Sequence, residues 1–285
     1  PLPPGVEAMS LTGKPLARPE YPASVVAERE KQLEAARAEL AKNPDSPDAL
    51  IWVGRREAYL GRFREAIATF SDGVKRFPRD ARFLRHRGHR YITVREFDRA
   101  IADFEKAAQL VRGKPDEVEP DGQPNARGIP IGSLQSNICY HHGLAHYLKG
   151  NFEKALPIYR RCAAEATNPD RLVSVSHWLY MTLRRLGRPQ EAAQVLEPVS
   201  AGLDVIENVA YHKLLLMYRG EIAPEELLGE PMEGNDRPTI LYGVGNWRFY
   251  NGEPARAHEL FERIVASDPW AAFAYIAAEA ELARR

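Results

Sequence analysis

The sequence predicts an all-α protein that is built from stacked helical hairpins. Small and aromatic residues recur at an interval of 34 positions, in the pairs Gly54 and Gly88, Phe63 and Phe97, Ala66 and Ala100, and Phe70 and Phe104. A fixed period near 34 residues is typical of helix–turn–helix units that stack on one another. We therefore expect a solenoid of about six hairpins, with an N-terminal half-repeat before them and a C-terminal capping helix after them.

The first 22 residues differ in composition from the rest of the chain. Eight of them are proline or glycine. Because proline breaks a helix, we expect an extended arm over residues 1–22. Residues 23–285 are expected to form a single helical repeat domain, which a long loop at residues 112–132 interrupts.

The first helices are predicted from apolar spacing and from the prolines that end them. Apolar residues at helical intervals predict a helix over residues 24–42, and Pro44 ends it. Hairpins follow over residues 47–77 and 81–110. Each carries a glycine midway along its first helix, because two helices that cross closely leave no room for a larger side chain there.

The loop at residues 112–132 separates the second hairpin from the third. It contains four prolines and four glycines, which exclude a helix. Loops of this length without secondary structure are uncommon in compact domains, and they are usually functional or disordered. Ser133 follows the loop, and we expect its hydroxyl to cap the next helix.

Four further hairpins are predicted after the loop. Gly143 and Gly187 mark the third and fourth, the fifth is degenerate over residues 205–228, and Gly245 marks the last. A final helix over residues 270–285 should cover the last hairpin with its alanine-rich face. We expect the Glu and Arg side chains of that helix to face water, as in the cap of an open-ended array.

Two hairpins carry the full pattern of a known repeat. The pattern appears as Gly54, Gly61, Ala66, Phe70 and Pro78, and again as Gly245, Gly252, Ala257, Phe261 and Pro269. These residues resemble the tetratricopeptide repeat, and the resemblance covers about residues 24–285. It implies a right-handed superhelical solenoid. It also implies a scaffold that holds a peptide or a partner protein in a concave groove, which the first helix of each hairpin lines.

The predicted groove is cationic in its N-terminal half and aromatic in its C-terminal half. Residues spaced three and four apart on the first helices should face it, and the candidates are Arg55, Arg82, Arg85, His89, Tyr140, His141, His177, Arg184 and Tyr242. Because arginine forms paired, charge-assisted hydrogen bonds with carboxylates, we expect an acidic protein or peptide segment as the partner. The alternative is a solvated helix face whose arginines pair with carboxylates of neighbouring repeats.

No motif for catalysis, nucleotide binding or metal binding stands in the sequence. His142 and His146 have the helical spacing of a ligand pair, but no glutamate accompanies them as a base. We therefore expect no catalytic residue, no metal and no cofactor. Basic and acidic residues are equal in number, 39 each, which argues against nucleic acid as a partner.

The function that these observations favour is a non-enzymatic scaffold for a protein or peptide. Two alternatives remain open. In the first, the same concavity serves a small anion, for binding or for catalysis, and the acidic loop at residues 112–132 closes over it. In the second, the protein associates with copies of itself through its convex face.

The compartment also remains open. Cys139 and Cys162 are predicted on the two facing helices of one hairpin, as small buried residues or, in an exported protein, as a disulfide. No apolar run approaches the roughly 20 residues that a membrane-spanning helix needs. The chain starts at Pro1, so export after removal of an N-terminal signal is one option and the cytoplasm is the other.

Overall fold

The protein divides into two compact units. The computed structural model describes residues 2–267 and 269–284. Unit 1 is Pro1–Asp116 and unit 2 is Glu117–Arg285. The elements of unit 1 are β1 (Val6–Met9), β2 (Pro15–Ala17), α1 (Ala23–Lys42), α2 (Pro47–Tyr59), α3 (Phe63–Arg76), α4 (Ala81–Thr93) and α5 (Phe97–Val111).

Unit 2 consists of helices that are joined by turns and loops. They are α6 (Leu134–Leu148), α7 (Phe152–Ala164), α8 (Pro169–Arg185), α9 (Pro189–Val195), α10 (Val209–Tyr218), α11 (Pro224–Gly229), α12 (Asp236–Tyr250), α13 (Pro254–Ser267) and α14 (Phe273–Ala283). Five sequential pairs of the described helices pack as hairpins, namely α2 with α3, α4 with α5, α6 with α7, α8 with α9 and α12 with α13. α10 packs on α8 and α12 and α11 packs on α12, in keeping with the degenerate fifth hairpin. The predicted all-α helical repeat fold is confirmed. None of the described helices combines the length and the apolar character that crossing a membrane would require.

Glycines that face aromatic rings across the hairpins confirm the repeat register. A Cβ atom at Gly88 would lie 2.8 Å from the Phe104 ring. The same contact joins three further pairs, which are Gly54 and Phe70, Gly143 and Tyr159, and Gly245 and Phe261. A side chain at any of these glycines would collide with the ring, so the close helix crossings depend on glycine.

Residues 1–22 contain a two-stranded antiparallel hairpin, which packs on the helices of unit 1. Ala8 of β1 pairs with Leu16 of β2, and both side chains are buried. A Cβ atom at Gly61 would lie 2.7 Å from Pro19, so this segment lies against the turn between α2 and α3. The sequence did not predict the hairpin, because strands of four and three residues are too short to show a clear alternating pattern.

The loop between α5 and α6 is irregular, as predicted, and hydrogen bonds hold its unit 2 part. Leu134 N donates to Glu117 O at 2.8 Å, which closes the base of the loop. Arg127 Nη1 donates to Asp204 Oδ1 at 2.7 Å, which attaches the loop to the segment before α10. Ser133 caps α6 as predicted, because its hydroxyl accepts a hydrogen bond from a backbone N–H in the first turn.

α14 lies inside the range that was predicted for the final helix, but its surroundings differ from the prediction. Glu279 and Glu281 were expected to face water, and this expectation is wrong, since they are 1% and 6% exposed. The physical reason is that α14 packs against α6 and α12 as well as α13. In that position Glu281 forms an ion pair with Arg185 of α8 at 3.0 Å.

Cys139 of α6 and Cys162 of α7 are joined by a disulfide bond. The sequence left a pair of buried thiols and a disulfide as alternatives, and the structure has the disulfide. The bond links the two helices of one hairpin across a separation of 23 residues. A crosslink of this kind restricts the unfolded chain and so stabilises the folded hairpin.

Candidate partner-binding residues

The arginine cluster of unit 1 consists of Arg55 on α2 and of Arg85 and Arg90 on α4. Arg55 and Arg85 are buried, and Arg90 is partly buried. Burial, and then the charges of these three arginines, lower the pKa of His86 well below its usual value. The cluster therefore brings three guanidinium groups close to one neutral imidazole.

Arg90 carries a positive charge that its surroundings disfavour. Burial lowers its pKa to about 10, and the charges of Arg85 and Arg55 act in the same direction. No carboxylate among the described residues forms an ion pair with Arg90, and its guanidinium carbon lies 5.6 Å from the centre of the Phe63 ring. Like charges that are partly removed from water repel one another, and an anion among them would offset that repulsion.

Two histidines hold Arg85 in place. Arg85 Nη1 lies 3.3 Å from His86 Nδ1 and 3.4 Å from His89 Nδ1. The ring of His86 is itself fixed, because it stacks on Phe70 with 5.4 Å between the ring centres. A neutral imidazole can accept a hydrogen bond without supplying negative charge. These two contacts therefore help to orient the guanidinium of Arg85.

Arg82 agrees with the alternative to an anion-binding groove, in which arginines pair with carboxylates of the protein itself. Its guanidinium forms ion pairs with Asp80, which caps α4, and with Asp48 of the preceding hairpin. The hydrogen bond to Asp80 is the main reason that the pKa of Arg82 is raised. Because two carboxylates of the protein already neutralise Arg82, it can contribute little to the binding of an external anion.

Aromatic side chains accompany the arginine cluster. The guanidinium carbon of Arg55 lies 4.4 Å from the centre of the Trp52 ring, and Arg55 Nη2 donates to Tyr59 Oη at 3.1 Å. Stacking of a guanidinium on an aromatic ring places an apolar surface next to the positive charge. The sequence reasoning missed Trp52, Tyr59 and Arg90, because it followed one stripe of residues per helix. The signal for Arg90 was present, since it lies in the same basic run as Arg85.

The predicted groove residues of unit 2 lie mostly inside the unit. Four of them are buried, namely Tyr140, His141, His177 and Tyr242. Tyr140 Oη accepts a hydrogen bond from Trp178 Nε1 at 2.8 Å, and Tyr242 Oη lies 2.8 Å from Tyr147 Oη. These contacts cross between α6, α8 and α12, so the first helices of unit 2 pack on one another. Their inward-facing side chains form a core in place of an open surface.

His177 and Arg184 occupy different environments on α8. The ring of His177 stacks on Tyr211 with 4.7 Å between the ring centres, and Nδ1 lies 3.3 Å from Tyr218 Oη. Burial lowers the pKa of His177 to about 3, so the imidazole is neutral. Arg184 is partly buried, and its Nη1 donates to Tyr180 Oη at 3.0 Å.

Comparison with known proteins identifies the repeat. Models of the tetratricopeptide repeat match residues 54–118 and residues 136–167. A search of curated protein sequences finds no match. A tetratricopeptide repeat protein from Parabacteroides merdae has a similar solved structure, with 14% identity and a TM-score of 0.53, and the match covers 91% of this chain and 93% of that chain.

A chain of the Cut9–Hcn1 hetero-tetramer of the APC/C is also similar in structure, with 14% identity and a TM-score of 0.52. That match covers 85% of this chain, which spans 37% of the length of the matched chain. At this level of identity, both likenesses concern the fold alone. The family models and the fold agree with the glycine–aromatic register described above. The chain carries tetratricopeptide repeats at residues 54–118 and 136–167.

Proposed function

We propose that this protein is a non-enzymatic binding scaffold, and that unit 1 holds an acidic segment of a partner protein at the arginine cluster. The observation that carries the proposal is Arg90, which is partly buried beside Arg85 and Arg55 and has no carboxylate partner among the described residues. The tetratricopeptide repeats at residues 54–118 and 136–167 support a protein or peptide as the partner. A carboxylate on that partner would supply the negative charge that Arg90 lacks.

The recognition would combine charge with apolar contact. The guanidinium group is a planar fork that can donate two parallel hydrogen bonds to one carboxylate. Trp52 and Tyr59 flank Arg55 and offer aromatic surface next to it. We therefore propose a partner segment with one or more Glu or Asp side chains beside an apolar residue.

Binding of an oligoglutamate peptide tests the proposal. Fluorescence anisotropy at low salt should show that the full chain binds the labelled peptide, and that an oligolysine peptide of equal length does not bind. The double variant Arg85→Gln/Arg90→Gln should bind the peptide at least about tenfold more weakly, because it loses charge-assisted hydrogen bonds. The matched control is Arg82→Gln, whose arginine is already paired, and its affinity should stay within about twofold of wild type.

Two outcomes would contradict the proposal. One is equal affinity of the wild type and the double variant for oligoglutamate. The other is a loss in the Arg82→Gln control as large as that of the double variant, since the effect would then reflect overall charge and not the arginine cluster. Circular dichroism spectra of the variants would establish that each retains the helical fold.

We also propose that the protein works in an oxidising compartment, after export. The disulfide between Cys139 and Cys162 supports this location, because such bonds are rare in the reducing cytosol. Protein taken from its source into an alkylating agent, and analysed by mass spectrometry without reduction, should contain the crosslinked pair of peptides. Alkylation of both cysteines in that sample would refute the proposal.

A further inference from the structure

The C-terminal helix α14 contacts the first helices of three hairpins within unit 2. At its start, the ring of Phe273 lies 5.5 Å from the ring of His141 on α6. Just beyond its end, Arg284 Nη1 donates to Leu148 O of α6 at 3.0 Å. Between these points, Glu281 reaches α8 and α12. A helix that only capped the last hairpin would touch α12 and α13 and would not reach α6.

α14 is enclosed on all sides along most of its length. Every residue from Ala274 to Glu281 is buried, including both glutamates. The capping helix of a repeat array normally presents a polar face to water. Four alanines lie among these buried residues, and small side chains allow the neighbouring helices to approach closely. α14 is thus placed like a ligand that is bound between the first helices of unit 2.

The contact of Glu281 has the character of a specific recognition site. Glu281 Oε2 lies 3.0 Å from Arg185 Nη2, and both side chains are largely buried. Glu281 Oε1 accepts a hydrogen bond from Tyr242 Oη at 3.4 Å. Arg185 is held from the other side, because its Nη1 donates to Asn246 Oδ1 at 3.1 Å and its guanidinium carbon lies 4.5 Å from the centre of the Phe249 ring. Arg284 Nη2 also donates to Glu281 Oε1 at 2.6 Å, within the C-terminal segment itself. Loss of the Glu281 charge would therefore leave Arg185 buried without its carboxylate.

We propose that the first helices of unit 2 form a receptor for an alanine-rich helix that carries a glutamate, and that α14 is its intramolecular occupant. While α14 is bound, this surface is closed to partner proteins. The short connection between α13 and α14 gives the occupant an effective concentration on the order of millimolar. A partner helix of the same chemistry can therefore bind only when α14 is displaced. This inference is independent of the arginine cluster in unit 1.

A peptide with the sequence of residues 270–285 tests the proposal on the full-length chain. The labelled peptide should bind wild type weakly, because the tethered α14 competes with it. In the variant Glu281→Lys, the lysine would face Arg185, and α14 should leave the receptor. We expect this variant to bind the wild-type peptide at least about tenfold more tightly than wild type does. A peptide that carries Glu281→Lys itself should not bind, and the exposed control Glu259→Lys should behave as wild type.

Hydrogen–deuterium exchange of the milder variant Glu281→Gln decides the question if Glu281→Lys does not fold. Amides of α14 should exchange at least about tenfold faster than in wild type, while those of α6 and α8 keep their protection. If α6, α8 and α14 lose protection together, α14 is an integral part of the core and the proposal is wrong. Equal affinity of wild type and a folded Glu281→Lys variant for the peptide would overturn it as well.

Discussion

Glu7 is the residue that attaches the N-terminal hairpin to the helices of unit 1. Its side chain is buried, and Oε1 accepts hydrogen bonds from Arg18 Nε at 3.2 Å and Nη2 at 3.1 Å. Oε2 accepts a hydrogen bond from Arg64 N at 2.9 Å. This N–H lies in the first turn of α3, where backbone donors have no partner within the helix. One carboxylate therefore pairs with an arginine and also caps a helix end that favours negative charge.

We predict that Glu7→Gln lowers the free energy of unfolding of the protein by about 1–2 kcal/mol, because the amide keeps the size of the side chain but loses its charge-assisted hydrogen bonds. Urea unfolding followed by circular dichroism measures the change. Glu65→Gln is the matched control, since Glu65 also pairs with Arg18 but its side chain is 46% exposed. It should cost less than about 0.5 kcal/mol. Equal losses for the two variants would contradict the capping role of Glu7.

At the scale of elements, the hairpins depend on glycine where their two helices cross. Alanine at a helix position is intrinsically better than glycine by about 1 kcal/mol. At Gly88, however, the added Cβ would lie 2.8 Å from the Phe104 ring. Because overpacking of a core contact costs about 1–3 kcal/mol, we predict that Gly88→Ala destabilises the protein and lowers its melting temperature.

Gly229→Ala is the control for that prediction, since a Cβ atom at Gly229 would meet nothing within 4 Å. This substitution should leave the melting temperature unchanged or raise it, because only the helix preference changes. Thermal unfolding by circular dichroism compares the two variants. A higher melting temperature for Gly88→Ala would show that α4 and α5 are not in close contact at this point.

The sequence separation between contacting residues explains which elements could be predicted from the sequence. Gly88 and Phe104 are close in sequence, and their contact recurs at the period of the repeat, so a local pattern revealed it. By contrast, Glu7 meets Arg64 across 57 residues, and Arg284 meets Leu148 across 136 residues. Each of these contacts occurs once, and no periodicity marks it. The docking of the N-terminal hairpin and the burial of α14 were therefore beyond prediction.

At the scale of the whole molecule, the same limit applies to the candidate site. Arg55 and Arg85 were predicted together, because both lie on first helices and carry an unmistakable charge. Tyr140 and His177 were expected to line a groove, whereas they are buried in unit 2. Whether first helices face solvent or one another depends on small rotations that accumulate from repeat to repeat. The accumulated rotation does not depend on any single residue. Residue types alone therefore do not distinguish first helices that line a groove from first helices that form a core.

Buried neutral histidines should make the protein sensitive to acid. Burial lowers the pKa of His177 to about 3, and burial, then His146 and Arg161, lower the pKa of His142 to about 4. In the unfolded chain a histidine gains its proton near pH 6.5. The unfolded state therefore binds more protons below that pH, and the free energy of unfolding falls as the pH is lowered. For His177 we predict a loss of about 2 kcal/mol between pH 7 and pH 5.

The variant His177→Phe tests this prediction, because phenylalanine keeps the ring between Tyr211 and Tyr218 but cannot bind a proton. Urea unfolding at a series of pH values should show that the variant loses about 2 kcal/mol less stability than wild type between pH 7 and pH 5. Met181→Leu, a buried substitution on the same helix, is the control, and it should keep the wild-type pH dependence. If His177→Phe and wild type lose stability in parallel, His177 is already protonated in the folded protein or remains exposed to water.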